Sequence, residues 1–496
     1  MSKNKSKKRK QNDLASNHPN KQIKTTKRPT TPPLEGDDRN NDGATANAIE
    51  PTTLQSVISQ EELEITVDTL AELAKHPALL KSRACKDLRV AVWDFRQACA
   101  TGLNSTSSGS NLTGRITAAL ADGKFIDAKV LLAEMRIRGE EPKLGALCRW
   151  VRDLDVVSGV STLEGEVTQR SPRDKELISV LDGVLRVCGS IDTNPEADFD
   201  PDSPICVQET WDLRSSSAPT LQTYASVLDK SIFLCAPPKL HEGLRIIETT
   251  PGPLRKPPNH HDAILYTTKP SAVPLSATPP PISYHHHPVV PNLSLATRVL
   301  SPAECQAIIA AGETVNFLPD APLREDGDIS VLAHNFYWVV DQQFHDVLWS
   351  RISPYVPSCV DGRLARGLNR RFRVYRYVPG AEYRAHIDGA WPPSGILPDD
   401  TYVYDASPPG RKQSSLFTFL IYLNDEFEGG ETTFFLPAAR EGVLNAYPVR
   451  PVMGGVAIFP HGDTRGALLH EGTGVRRGAK YVIRTEVEYD VEATKG

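Results

Sequence analysis

At 496 residues the chain is long enough for two or three domains, and 40% hydrophobic content is enough to bury real cores. A formal net charge of -5 excludes a case for nucleic-acid binding by the chain as a whole. No apolar run reaches the ~18 residues that a membrane span needs, and eight scattered cysteines without a C-x-x-C pair suit reduced thiols better than a disulfide framework or a zinc site.

Local charge differs from the average. Residues 1–28 hold ten Lys and Arg against one acid, Asp13, with almost no large apolar side chains. Such a composition does not bury enough surface to offset chain entropy, so residues 1–56 are expected to form a disordered basic tail. Its two clusters, Lys7–Lys10 and Lys21–Arg28, have the form of a bipartite nuclear-import signal, and a weak contact with nucleic acid is an open role for such a tail. No apolar segment follows the basic start as it would in a secretory signal, which points to the nucleus or cytoplasm and away from secretion.

From residue 57 to 190 the pattern predicts a small α-helical domain. Ser59 with Glu62 reads as a capping box, and Leu63, Val67, Leu70, Ala71 and Ala74 form one helical stripe that Pro77 ends. A second helix is predicted over Arg83–Ala100. After a polar loop come Arg115–Ala121, Asp127–Arg138, stopped by Gly139, and Lys143–Leu154. The stretch Gly114–Pro142 resembles a single pentatricopeptide-type helical hairpin. Arrays that read RNA stack several such repeats, and with no second copy here the hairpin is expected to bind a protein partner or brace its neighbour.

Residues 191–205, with Asp192, Glu196, Asp198, Asp200 and Asp202 among prolines, read as a solvated acidic linker. Residues 206–288 read as an N-terminal extension of the domain that follows. Ser231–Cys235, Leu244–Glu248 and Ala263–Thr267 are its predicted strands, and the eleven prolines of Pro251–Pro291 argue against regular structure there. His285, His286 and His287 are adjacent and would point in different directions on an extended chain, so they are not expected to converge on a metal; the same holds for His260 and His261. Ser301–Gly312 is predicted as a capped helix.

The C-terminal part, 289–490, carries the chemistry. Short strand-like runs broken by Gly and Pro, including Leu416–Asn424, Glu431–Leu436, Gly454–Pro460 and Ala479–Tyr489, predict an antiparallel β domain. His386 and Asp388 stand two apart in the strand-like run Ala381–Asp388 and so share a face. A second H-x-D, His461 with Asp463, competes with it. The first pair has a return histidine, His470, with Lys480 ten residues further on, whereas ten residues after His461 stands an acid, Glu471. Two histidines and one carboxylate on one arc are the ligand pattern of non-haem Fe(II) oxygenases. Lys480, and Arg484 on the same strand face, would be costly inside an apolar strand unless paired, and a bound oxo-acid dicarboxylate would pair them.

Taken together, H-x-D, IYLN, GGET, a proximal F-P and H-x-G-x-x-V-x-x-G-x-K resemble the catalytic domain of prolyl 4-hydroxylase-like 2-oxoglutarate and Fe(II)-dependent dioxygenases, over roughly Val289–Tyr489. The resemblance implies a double-stranded β-helix (jelly roll), so that the chain as a whole is expected to be a multidomain α+β protein. It implies that His386, Asp388 and His470 hold iron, that Lys480 binds 2-oxoglutarate, and that Tyr383 and Tyr422 contact that co-substrate, with Arg484 beside them. It also implies O₂ as a reactant, succinate and CO₂ as products, and ascorbate to keep the iron ferrous. The Pro-, Gly- and Tyr-rich insertion Gly389–Gln413 is expected to act as a lid that offers Trp391, Tyr402, Tyr404 and Arg411 to the substrate. Hydroxylation of a protein side chain is the favoured outcome. Nucleic-acid demethylation, small-molecule oxidation and a silent binding scaffold stay open.

Overall fold

In the computed structural model, residues 57–101, 111–157, 170–193, 204–214, 222–254, 262–318, 333–461 and 466–493 are described. The basic clusters, His260, His261 and Asp463 lie outside them, as do Glu196, Asp198, Asp200 and Asp202. The chain divides into two compact units at Asp87/Leu88.

In the first unit the helix Gln60–Ala74 starts at the expected capping box: Ser59 Oγ accepts from the Glu62 amide at 3.2 Å, and the Glu62 carboxylate accepts from the Ser59 amide at 3.0 Å. Its apolar stripe is not covered, and no residue of this helix is buried.

In the second unit, helices Leu112–Ala121, Phe125–Arg138 and Leu144–Leu154 form as their periodicity predicts, and Gly139 closes the second with a φ of 65°. A further helix, Pro172–Cys188, begins at a Ser171/Asp174 capping box that the sequence reading did not use. These helices do not close on themselves. Ile116, Leu132, Trp150, Ile178 and Leu181 share one buried core with Ala385, Ile387, Phe435, Leu444 and Leu469 of a β-sheet. An internal ion pair locks the last helix to it. Arg186 meets Asp182 at 2.8 Å and donates to the carbonyls of Ala438 and Arg440 at 2.6 and 2.9 Å, while Asp182 accepts from the Gly442 amide at 2.8 Å.

That sheet has five strands in the order Ile205–Val207, Leu444–Val449, Thr432–Pro437, Leu469–Gly472, Tyr383–His386. The larger sheet runs Leu244–Thr250, Ala263–Thr268, His334–Val339, Arg371–Tyr377, Lys480–Asp490, Gln413–Tyr422, Val456–Pro460, Ser294–Thr297, Ser283–His286, with the short strands Cys359–Val360 and Arg363–Leu368 set off this path. Between the two sheets lies a core of Leu295, Tyr375, Tyr422, Phe434, Phe459 and Val482. On the outer face of the larger sheet, helices Pro302–Val315 and Gln342–Ile352 cover Phe372, Phe419, Tyr481, Ile483 and Val487. Strands such as Thr432–Pro437 are therefore buried on both faces, which is why they read as continuous apolar runs. The Gly429-Gly430 turn forms with φ of 72° and 70°, and a Cβ on Gly429 would meet the Gly474 carbonyl at 2.3 Å.

Within 289–490 the strand pairings among the described residues are antiparallel, as expected; the two parallel pairs, Ala263–Thr268 with His334–Val339 and Ile205–Val207 with Leu444–Val449, bring in strands that precede that domain. Several expectations need correction. Ser231–Cys235 is a 3₁₀ helix, its apolar residues forming one short turn over the core rather than a strand. The proline-rich stretch contains the expected strand Ala263–Thr268 and a second, unexpected one, Ser283–His286, both in runs without proline. Asp192 is buried, not solvated, and accepts from Asn445 Nδ2 at 2.6 Å and from the Tyr447 hydroxyl.

Candidate active site

The antiparallel pairing of Tyr383–His386 with Leu469–Gly472 sets His386 directly opposite His470. Asp388 lies beyond the end of its strand, yet its carboxylate turns back between the rings, with Oδ1 at 3.3 Å from His386 Nε2 and Oδ2 at 3.6 Å from His470 Nε2. The three ligand atoms all lie within 4.8 Å of one another, and no second group of three His, Cys, Asp or Glu comes together in this way among the described residues.

The surroundings orient each donor. His386 Nδ1 donates to the Arg384 carbonyl at 2.8 Å and His470 Nδ1 to the Leu468 carbonyl at 3.1 Å. A carbonyl only accepts, so Nδ1 of each ring carries a proton and Nε2 is the atom turned toward Asp388. Burial, with His386 nearby, pushes the His470 pKa down to about 3 and keeps that ring neutral. Burial alone would neutralise Asp388, but Arg484 at 3.0 Å and the two histidines hold its carboxyl well below the usual range. Two imidazoles that present Nε2 and one ionised carboxylate on one side of a cavity fit a divalent non-haem iron.

His461, the rival ligand, sits behind this group. Its Nδ1 lies 2.9 Å from Thr418 Oγ1, its Nε2 lies 2.9 Å from Ser415 Oγ, and Thr418 donates to Asp388 Oδ2 at 2.6 Å. His461 thus steadies a carboxylate through Thr418 and is not one of the three clustered donors. The adjacent histidines do not converge either: His287 is buried, its Nδ1 accepting from the Val289 and Val290 amides at 3.1 and 2.9 Å.

Inward from the triad a narrow cavity of about 40 Å³ reaches Lys480, passing Tyr383, Thr432, Gly472 and Arg484. Lys480 is 3% exposed, with Nζ 5.4 Å from the Tyr377 ring centre and 6.0 Å from that of Tyr422. Burial lowers its pKa to about 7, because Glu431, the acid whose charge reaches it, is already held by Arg450 at 2.7 Å. The Tyr422 hydroxyl donates to Thr432 Oγ1 at 2.9 Å. Tyr383 packs on His386 with ring centres 4.2 Å apart. Arg484 does not reach toward Lys480; it pairs with Asp388 and, at 3.2 Å, with Glu486.

Outward from the triad the cavity opens into a cleft of about 630 Å³. The insertion Gly389–Gln413 forms part of its wall through Trp391, Ser394 and Tyr404, and carries a small hairpin, Gly395–Ile396 with Tyr402–Val403. Tyr402 and Arg411 are not in that wall: the Tyr402 hydroxyl pairs with Ser394 Oγ at 3.1 Å, and Arg411 lies 4.0 Å from Asp490. The helix Leu144–Leu154 also reaches the cleft through Cys148 and Arg152, with Cys148 Sγ 3.4 Å from the Ile387 carbonyl. Thr418, Glu486, Arg371 and Arg373 were missed by the sequence reading. Thr418 shares its face with Tyr422, and Glu486 with Lys480 and Arg484, so alternation along those two strands would have found both.

A jelly roll holding a His, Asp, His cluster with a buried lysine behind it has the arrangement of a non-haem iron oxygenase. The sequence comparison agrees: the 2OG-Fe(II) oxygenase superfamily profile matches residues 372–485. No curated protein matches the chain. Among solved structures, a viral collagen prolyl hydroxylase from Paramecium Bursaria Chlorella virus-1 is 19% identical, covering 40% of this chain and 97% of that one at a TM-score of 0.25. A Pseudomonas putida prolyl-4-hydroxylase is 20% identical, over 40% and 91%, at 0.24. A prolyl hydroxylase from Trichoplax adhaerens, in complex with a hypoxia inducible factor peptide fragment, is 12% identical, over 40% and 83%, at 0.25. The chain carries a domain of the 2OG-Fe(II) oxygenase superfamily, and its enzyme class is that of the 2-oxoglutarate-dependent dioxygenases.

Proposed function

We propose that this chain hydroxylates a C–H bond of a protein side chain, in the manner of prolyl hydroxylases, and releases succinate and CO₂. The observation that carries this reading is the polarity of the cavity: a metal-ready triad at its mouth and a single buried cation, Lys480, at its end. His386 Nε2, an Asp388 oxygen and His470 Nε2 would hold Fe(II), and Lys480 would hold the far carboxylate of 2-oxoglutarate, assisted by the hydroxyls that line the cavity. Bound there, iron and the oxo-acid supply the activation of O₂.

The protein's part is placement and proton control. The carbonyls of Arg384 and Leu468 keep both imidazoles in the ligating tautomer. Arg484 and Thr418 keep Asp388 ionised and aimed. Phe434 and Phe459, packed on His470 at 5.7 and 4.7 Å between ring centres, exclude water from the inner side. The insertion beside the mouth places Trp391 and Tyr404 where a substrate chain would lie. Ascorbate is expected to prolong turnover by keeping the iron ferrous.

The proposal is tested by incubating the full chain with Fe(II), 2-oxoglutarate and a cell-derived peptide mixture in air. Succinate and a peptide gaining one oxygen are expected, both absent for His386→Ala; succinate without any oxidised peptide would remove the protein-substrate reading. The proposal places the chain inside the cell and uses Lys7–Lys10 and Lys21–Arg28 for nuclear import. A fluorescent fusion with both clusters changed to alanine should then leave the nucleus.

A further inference from the structure

The cleft outside the histidines carries more positive charge than the oxygenase reading uses. Arg152, Arg371, Arg373, Arg384 and Arg484 line it, against one acid, Glu486. Neighbours account for three of the arginines. Arg484 is held by Asp388 and Glu486, Arg384 by Asp155 and, at 3.7 Å, Glu382, and Arg152 by Asp153 at 3.4 Å. Arg371 differs. Its guanidinium lies 4.5 Å over the Tyr337 ring, its buried Nε has no hydrogen-bond partner, and it has no ion-pair partner among the described residues. Arg373 beside it lies between Tyr337 and Tyr375 at 5.2 and 4.9 Å and donates Nε to Asn335 Oδ1 at 3.3 Å.

A guanidinium laid flat on an aromatic ring keeps its edges for a planar, two-oxygen acceptor, and the acid whose charge reaches Arg371, Glu486, is already paired with Arg484, so a partly buried cation there gains from a further anion. We propose that the substrate is an acidic polypeptide segment whose Asp or Glu carboxylate pairs with Arg371 while the residue to be hydroxylated lies at His386 and His470. This rests on the oxygenase reading and names the substrate class of the same site. The distribution of charge favours one or two carboxylates over a nucleic-acid strand. A phosphate track needs a run of available cations, whereas Arg152, Arg384 and Arg484 each have an acid partner and Arg371 has no ion pair among the described residues. In the same cleft Trp391 and Tyr404 meet edge to face, with ring centres 6.5 Å apart, and give the peptide an apolar surface.

The test is fluorescence anisotropy with the full chain under anaerobic conditions, Fe(II) and 2-oxoglutarate present throughout. The probes are labelled peptides with a central proline flanked by glutamates, by glutamines or by lysines, and an oligo-dT of equal length. The glutamate peptide should bind about tenfold more tightly than the glutamine peptide. That preference should disappear in Arg371→Gln and be partly kept in Arg371→Lys, which retains the charge and loses the fork. Thermal melting of both variants establishes that they are folded, and Arg371→Lys alone suffices if Arg371→Gln is not. Equal binding of the glutamate and glutamine peptides, tighter binding of oligo-dT, or an undiminished preference in the folded variants would overturn the proposal. Binding is read without turnover, so its failure leaves the iron and 2-oxoglutarate reading standing. A missing spectral response to the oxo-acid would remove that reading without touching the peptide preference.

Discussion

Replacing Lys480 by methionine separates stability from function. In the folded chain burial lowers the Lys480 pKa from 10.5 to about 7, so the unfolded chain binds an extra proton between those values and wild-type stability must rise with pH through that window. At ~1.4 kcal/mol per pKa unit, keeping the charge buried costs about 5 kcal/mol near pH 6 and about 3 kcal/mol near pH 8. Lys480→Met removes the charge at similar volume. It should therefore be more stable than wild type at both pH values, with an advantage that shrinks by roughly 1–2 kcal/mol between them. Urea unfolding at the two pH values measures this directly. The same variant should lose 2-oxoglutarate binding. In wild type the protonated fraction of Lys480 falls about tenfold between pH 6 and pH 8, so 2-oxoglutarate affinity should fall with it. A variant less stable than wild type at the lower pH, or one with the wild-type pH slope, would refute the account of Lys480 as an unpaired buried cation awaiting an anion.

Thr418→Val keeps the shape of its site and removes the 2.6 Å hydrogen bond to Asp388; Fe(II) affinity should drop by about 10- to 100-fold with little change in melting temperature, as titration would show. Arg484→Gln leaves Asp388 and Glu486 buried without their cation, and the expected loss in urea unfolding is about 3–5 kcal/mol. Arg186→Ala likewise strands Asp182 and frees the Ala438–Gly442 turn, at a similar cost of about 3–5 kcal/mol.

Much of the inner site was legible because strand alternation and a fixed offset are sequence properties. Lys480, Val482 and Arg484 fall on one face, and the return histidine precedes Lys480 by ten residues. The pairing of His386 with His470, by contrast, is a matter of sheet order, which no local pattern encodes. The role of His461 was half legible: the absence of a downstream cation removed it as a ligand, but its link through Thr418 to Asp388 depends on a neighbouring strand. The outer cleft was the least legible part. Nothing local marks Arg371, Arg373, Cys148 or Arg152 as cleft residues, because the cleft is built from segments more than 200 residues apart. Helix Pro172–Cys188 was missed although Ser171 and Asp174 cap it, since its capping box uses Asp where Glu is the usual signal.

The most direct test of the central claim is anaerobic titration of the purified chain with Fe(II) and then 2-oxoglutarate, followed by optical absorption. The account predicts a metal-to-oxo-acid charge-transfer band that saturates at one equivalent per chain, is lost in His386→Ala, and fails to form at ordinary 2-oxoglutarate concentrations in Lys480→Met. No band in wild type with iron bound, or a band unchanged in Lys480→Met, would contradict it.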